Sequence, residues 1–522
     1  MASLDDLRAR AARLVMVRMG SALPPKRTAT DDLTSIQALC QRYPIGGVLL
    51  FNARGSQIAD TLHAVHDAAP KPLLVASDIE RGVGQQVDGA TSFPRALACG
   101  RAGTRSVQIL ARITALEAEA CGIHWAFAPV ADLRNEPRNP IIATRAFGET
   151  PRTVAPHVHT YVETAQAHGL ATTAKHAPGH GRTTTDSHAD QPVVEADAEA
   201  LTDDAWPFRA AIQAGTTSLM TAHVSYPALD PSGAPATAST AILQGLLRDR
   251  WGFEGVIVSD SLLMDGIDAP GARAATLLNA GVDMLLDPPD ARAVIEGIAE
   301  AVATGDVSEE RLNAAVARVH RLMAWVHEHR DAGLRPNAAL QDMVGRPLHQ
   351  QAATSIAREA TFGRGPATTE LSRQKDTVVV RCTAHPAESD DDSTLRQALS
   401  DAWPQAAYVA CPAEASLSQT AAVAARIHQA EQVVAVLTLE PAAWHDFQFP
   451  QAHRAVFDAL RAHPRAFVIA AGSPHVLHAF PDAWSVGATY SDGVAAQRAL
   501  VQRLTQWTGH VEAEAADPPV HP

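Results

Sequence analysis

Two short stretches of the chain gather the side chains that could do chemistry. The first runs Lys175-His176-Ala177-Pro178-Gly179-His180-Gly181 and, after four further residues, Asp186-Ser187-His188. A proline and two glycines so close together shape a loop with little regular structure. Three readings of its polar groups stand side by side. It is a solvated loop that happens to be rich in histidine. Or His176, His180 and His188 are spaced as metal ligands, although Lys175 sets a fixed cation beside them and no helical HExxH frame accompanies them. Or it carries acid–base chemistry: the carboxylate of Asp186 can hold the His188 imidazole in one tautomer and support its protonated form, giving a group that donates and accepts a proton near neutral pH. The second stretch, Val256-Ile257-Val258-Ser259-Asp260-Ser261-Leu262-Leu263-Met264, is an apolar run that delivers a carboxylate at its end. An aspartate there is either the N-cap of a following helix or a nucleophile. With the His188 loop in the same chain, the nucleophile is the better reading.

These groups need a scaffold, and the first 290 residues supply a regular one. Short apolar runs recur at 14–19, 45–51, 72–78, 124–132, 170–176, 217–224, 255–260 and 282–287. Each is too short for a helix, and helix-like stretches such as SIQALCQRY and SVQILARITALEAEACG separate them. Eight strands alternating with helices predict an α/β fold whose parallel sheet closes into a (β/α)8 barrel, with an open doubly wound sheet as the competitor. Asp78, Asp132, Lys175, His176, His223 and Asp260 all fall at or just after the ends of these runs. In a barrel that is the rim where active sites are built.

Beyond residue 300 the pattern turns helical, and a second series of strands follows at 376–382, 406–410, 432–440, 465–472 and 484–490. The expected division is a catalytic barrel over 1–335, a helical linker over 336–372, a smaller open α/β domain over 373–507 and a disordered tail over 508–522. The net charge of −14 argues against nucleic acid as a partner, because phosphate binding needs basic patches. No apolar stretch is long enough for a membrane span. Five scattered cysteines without CxxC spacing and an N-terminus without an apolar signal core lead to a cytoplasmic expectation. Oligomeric state is not legible.

Residues 175–188 resemble the signature Lys-His-(Phe/Ile)-Pro-Gly-(His/Leu)-Gly-x4-Asp-(Ser/Thr)-His of glycoside hydrolase family 3, in its β-N-acetylglucosaminidase branch, with Ala177 as the one departure. The stretch around Asp260 resembles that family's Ser/Thr-Asp-x-Leu-x-Met motif, and residues 10–330 resemble its barrel in order and spacing. The second domain resembles the smaller domain of two-domain members, mainly through AAGSPHVLHAF and ATYSDG. The resemblance implies a retaining exo-glycosidase acting on terminal β-linked N-acetylglucosamine by double displacement, with no metal and no cofactor. It implies Asp260 as nucleophile, His188 as general acid/base oriented by Asp186, and Lys175, His176, Arg145 and Asp78 as sugar-binding residues. His223 and Arg81 join the candidates for sugar contact. Where many relatives read Asp-Gln-Glu-Gly-Gly-Arg-Val-Gln-Arg, this chain has Asp78-Ile79-Glu80-Arg81-Gly82-Val83-Gly84-Gln85-Gln86, so Gln86 replaces an arginine. Either Arg81 restores that contact from another direction or the substrate preference differs. A small carbohydrate is the expected partner, a muropeptide fragment of cell-wall recycling among the candidates. The competing functions are an N-acetylglucosaminide phosphorylase, a β-glucosidase of the same family, and an inactive carbohydrate-binding barrel.

Overall fold

The computed structural model describes residues 2–184, 192–265, 270–330, 333–364, 371–372, 375–386, 393–441, 447–480 and 485–506. The predicted tail, Asp186 and His188 lie outside them. The chain forms two compact units, 1–353 and 354–522.

In the first unit, eight strands coincide with the eight apolar runs: β1 (Val15–Met19), β2 (Gly47–Leu50), β3 (Leu74–Ser77), β4 (Trp125–Ala126), β5 (Ala171–Ala177), β6 (Ser218–Thr221), β7 (Val256–Val258) and β8 (Leu285–Leu286). They pair in parallel in the order β8-β1-β2-β3-β4-β5-β6-β7. The bridge Val258↔Met284 joins the two ends, so the sheet closes as a barrel and the doubly wound alternative falls away. With helices outside and side chains inside, nearly every strand residue is buried, which is why the runs read as continuously apolar rather than alternating. Polar groups within the barrel satisfy one another: Trp125 Nε1 donates to Ser218 Oγ at 2.8 Å, and Thr173 Oγ1 lies 2.8 Å from the same oxygen.

The helices between the strands start and stop at local chemical cues. Thr150 forms a reciprocal capping box with Thr153, and Pro151 opens the helix Pro151–Ala167. Asp197 caps Ala198–Gln213 through the Ala200 N–H. The seam at β8 is short: β8 meets β1 through Val15↔Leu285 and Met16↔Leu286 only. Below it, buried Asp283 accepts from Arg248 at 2.6 Å, Arg311 at 3.0 Å and Arg318 at 3.2 Å, and from the Ile257 N–H at 3.0 Å. That cluster ties β7, β8 and two outer helices together where strand pairing is thinnest.

The second unit is a six-stranded sheet of β9 (Phe362–Arg364), β10 (Thr377–Thr383), β11 (Ala407–Cys411), β12 (Gln432–Leu439), β13 (Ala466–Gly472) and β14 (Ser485–Ala488). Its order is β9-β14-β13-β12-β10-β11, parallel throughout except for β9, which pairs antiparallel with β14. The five expected strands are all present, and β9 is an addition. Among the described residues, no helix is long and apolar enough to cross a membrane.

Candidate active site

The rim at the C-terminal ends of the strands collects buried charge from distant parts of the chain. Lys175, on β5, is the centre of one group. Its Nζ lies 2.6 Å from Asp78 Oδ1, just past β3, and 2.7 Å from Glu80 Oε1. Glu80 in turn accepts a two-pronged contact from Arg145, at 2.7 Å from Nη2 and 3.1 Å from Nε. The planar guanidinium fits a carboxylate in this way, which fixes both partners. Burial pushes the Glu80 carboxyl up, but Arg145 and Lys175 outweigh it and hold the group well below the usual range. Burial likewise favours neutral Lys175, yet Asp78 and Glu80 raise its pKa above the ordinary value. The cations therefore stay charged out of water, each with a carboxylate beside it.

His176 is held from behind. Its Nδ1 lies 2.8 Å from Asp132 Oδ2, and a carboxylate only accepts, so Nδ1 carries the proton. Asp132 also accepts from the His176 N–H at 3.1 Å and the His180 N–H at 2.7 Å. Burial raises the Asp132 carboxyl, but His176 and the contacts of His180 bring it below its ordinary value. The other ring nitrogen, Nε2, is turned into the site, 4.0 Å from Asp260 Oδ2 and 3.5 Å from Arg145 Nη2.

Asp260 follows β7, its side chain one-fifth exposed. The Ser261 N–H donates to its Oδ1 at 2.8 Å. Burial would raise its pKa, but His176, His223, the Ser261 N–H and Lys175 lower it to about 2. The carboxylate is thus anionic at any physiological pH, partly open, and surrounded by groups that stabilise negative charge without protonating it. Such a group can attack an electrophilic carbon.

The loop after β5 is anchored before it reaches residue 185. Asn139, fully buried, donates from Nδ2 towards His180 O at 2.9 Å, Gly181 O at 3.1 Å and Thr183 Oγ1 at 3.1 Å. Its Oδ1 accepts from the Ile141 and Ile142 N–H groups, fixing the segment that carries Arg145. Gly181 is needed here, since a Cβ would sit 1.8 Å from Leu133 O. Tyr226, in the segment after β6, closes the loop by donating to Gly179 O at 2.8 Å. Burial lowers the His180 pKa to about 4, so that ring is neutral at pH 7.

Asp78, Arg145, Lys175, His176 and Asp260 thus converge, and His223 adds to the field on Asp260. Arg81 is half-buried beside Glu80, and its backbone N–H donates to Gln85 Oε1 at 3.0 Å. Gln86, at the departing position, donates from Nε2 to the Asp78 carbonyl at 3.2 Å. Asp186 and His188 lie outside the described residues. Among the described residues, no group of three or more His, Cys, Asp or Glu side chains is arranged to hold a metal. Three contributors were not singled out from sequence: Glu80, which links the two cations; Asn139, which anchors the loop; and Asp132, seen at the rim but given no role.

Comparison with known proteins gives a consistent set of likenesses. The profile of the glycosyl hydrolase family 3 N-terminal domain matches residues 6–322. A β-N-acetylglucosaminidase/β-glucosidase from Cellulomonas fimi is 34% identical over 63% of this chain and 61% of its own. A β-hexosaminidase from Nitrosomonas eutropha is 35% identical over 58% of this chain and 90% of its own. The chain spans only about three-fifths of the first curated relatives it matches. A glycoside hydrolase family 3 β-N-acetylglucosaminidase structure from Paenibacillus sp. FPU-7 superposes with a TM-score of 0.85 at 28% identity, covering 97% of both chains.

Proposed function

The chain belongs to glycosyl hydrolase family 3, and on that premise we propose that it is a retaining exo-β-N-acetylglucosaminidase. The observation that carries the proposal is Asp260: an ionised, partly open carboxylate at the barrel rim, facing His176 and the Lys175–Glu80–Arg145 group.

In the first step Asp260 attacks the anomeric carbon as His188 gives its proton to the leaving oxygen. A covalent glycosyl-enzyme forms and the aglycone departs. In the second step His188 takes a proton from water, which displaces Asp260 with net retention. Asp186 orients the imidazole. Asp78, Lys175, Arg145 and His176 bind the sugar hydroxyls, and contacts that tighten in the transition state accelerate the reaction. The names of the Cellulomonas and Nitrosomonas relatives support the N-acetylhexosaminide class. Muropeptide fragments in the cytoplasm are the natural substrates we infer.

The test is hydrolysis of para-nitrophenyl N-acetyl-β-glucosaminide against the matching β-glucoside, with and without inorganic phosphate. A strong preference for the N-acetyl substrate, unaffected by phosphate, supports the proposal. Phosphate-dependent turnover assigns a phosphorylase, preference for the glucoside assigns a β-glucosidase, and turnover of neither means that the altered 78–86 segment selects another sugar or that the barrel is a binding scaffold.

A further inference from the structure

The nucleophile follows β7, beside the seam where β7 meets β8 through one bridge and through Ser259, whose N–H donates to Met284 O and whose Oγ accepts from the Leu286 N–H, each at 3.0 Å. A catalytic carboxylate needs a tighter hold than that, because small misplacements of reacting atoms are costly. Three polar residues on the same rim lie outside the sugar-binding group. Asp287 sits immediately after β8 and is almost fully buried. It adopts φ 54°, a left-handed conformation that residues other than glycine seldom take, and its N–H donates to Met16 O on β1 at 2.8 Å. Backbone strain of this kind persists where the surroundings fix it, and it concentrates at functional sites. The Asp287 carboxylate is gripped by the Arg18 guanidinium, with Nε at 3.1 and 3.0 Å from its two oxygens and Nη2 closing the fork. Arg18 itself lies on β1 with its guanidinium carbon 4.5 Å from the centre of the Phe51 ring. On the other side Asp287 Oδ2 accepts from Ser261 Oγ at 2.7 Å. Ser261 is the residue whose N–H holds Asp260 Oδ1 at 2.8 Å.

We propose that Arg18, Asp287 and Ser261 form a positioning chain that ties β1 and β8 to the nucleophile just past β7 and sets the orientation of the Asp260 carboxylate. Arg18 neutralises and aims Asp287. Asp287 fixes the Ser261 hydroxyl, and the fixed serine presents its N–H to Asp260. None of the three reaches the substrate: they are positioning residues, and they rest on the reading of Asp260 as nucleophile. Each link is a direct hydrogen bond, and together they span the seam on its catalytic side, as the Asp283 cluster does on the other.

The test uses the full chain and two readouts. One is kcat/KM for para-nitrophenyl N-acetyl-β-glucosaminide, which reports the attack of Asp260. The other is the inhibition constant of free N-acetylglucosamine, which reports ground-state binding. Ser261→Ala and Asp287→Asn are each expected to lower kcat/KM about 10- to 100-fold, the scale of a misoriented reacting group, while the inhibition constant stays within about twofold of wild type, as expected when only transition-state contacts are lost. Ser261→Thr, which keeps the hydroxyl, restores most of the rate. Because the residues act in series, the double variant is little slower than the slower single variant. Ser261→Ala is a small change at a partly exposed site, so it reports even if Asp287→Asn fails to fold. Wild-type kcat/KM in Ser261→Ala, or inhibitor affinity falling in step with rate, overturns the positioning chain. Asp260→Ala is run in parallel: if it is inactive while Ser261→Ala is unimpaired, only the positioning chain fails, whereas an active Asp260→Ala removes the nucleophile assignment itself.

Discussion

His176 Nε2 and Asp260 Oδ2 face each other across 4.0 Å, while the opposite ring nitrogen is held 2.8 Å from Asp132. The imidazole comes from β5 and the carboxylate from just past β7, so the pair reaches across the end of the one strand between them, β6. Asp132 determines which nitrogen points inward, and the field from His176 helps keep Asp260 ionised.

Asp260→Ala should lower turnover of the aryl N-acetylglucosaminide by at least about a thousandfold, as loss of a catalytic nucleophile does. The Asp260 pKa near 2 adds a condition on the pH profile. Its protonation cannot account for loss of kcat/KM anywhere near neutrality, so an acidic limb found there must belong to another group. Rate measurements from about pH 4 to 9 on wild type and His188→Ala check this, because a limb due to the acid/base residue disappears in the variant.

His188→Ala should slow disaccharides with poor leaving groups far more than activated aryl glycosides, since only the former need a proton on the departing oxygen. Comparing the two substrate types on one preparation decides it. An equal loss on both would remove His188 from the acid role.

Glu80→Gln should destabilise the barrel by about 3–5 kcal/mol, because it leaves Lys175 and Arg145 buried without their shared counter-charge. Asp78→Asn should cost less, since Lys175 keeps Glu80 at 2.7 Å. Chemical unfolding of both variants gives the order, and a larger loss for Asp78→Asn would contradict it.

Glu80 also marks the limit of what the sequence revealed. Strand ends and the long motif at 175–188 exposed the barrel and most of the rim, because local apolar runs and turn residues leave a period that can be read directly. The partnership of Glu80 with Arg145 joins residues far apart in the chain, and nothing local encodes it. Arg18 and Asp287 were hidden differently. Each lies in or at the end of a run read only as strand, although a lone arginine in LVMVRM and an aspartate closing VDMLLD are the same kind of cue that exposed Asp78. The antiparallel strand β9 escaped notice because it is short and borders a stretch dotted with glycine and proline.

Acid should unfold the protein partly through this site. The Glu80, Asp132 and Asp260 carboxyls all titrate below their ordinary values in the folded protein. Depressed pKa values of this kind contribute stability that is present above the unfolded-state values of about 4 and is lost as pH falls through the folded ones, towards 2 for Asp260. Thermal unfolding followed from pH 6 to 2 should show the midpoint falling below about pH 4, with a shallower fall in Asp260→Ala. An identical slope in the variant would exclude Asp260 from the effect.

The closing strand of the barrel has a further consequence for how the protein is made. Lys175, His176, Glu80, Arg145 and Asp132 all precede Asp260 in the chain, and β8 follows it. During synthesis the cage of cations and carboxylates emerges from the ribosome first. The Asp260 carboxylate comes next, and the strand that closes the barrel follows it. Until β8 emerges, β7 lacks the neighbour that closes the ring, and Ser261 lacks its Asp287 partner, so the contacts around Asp260 are completed only with the last strand of the barrel.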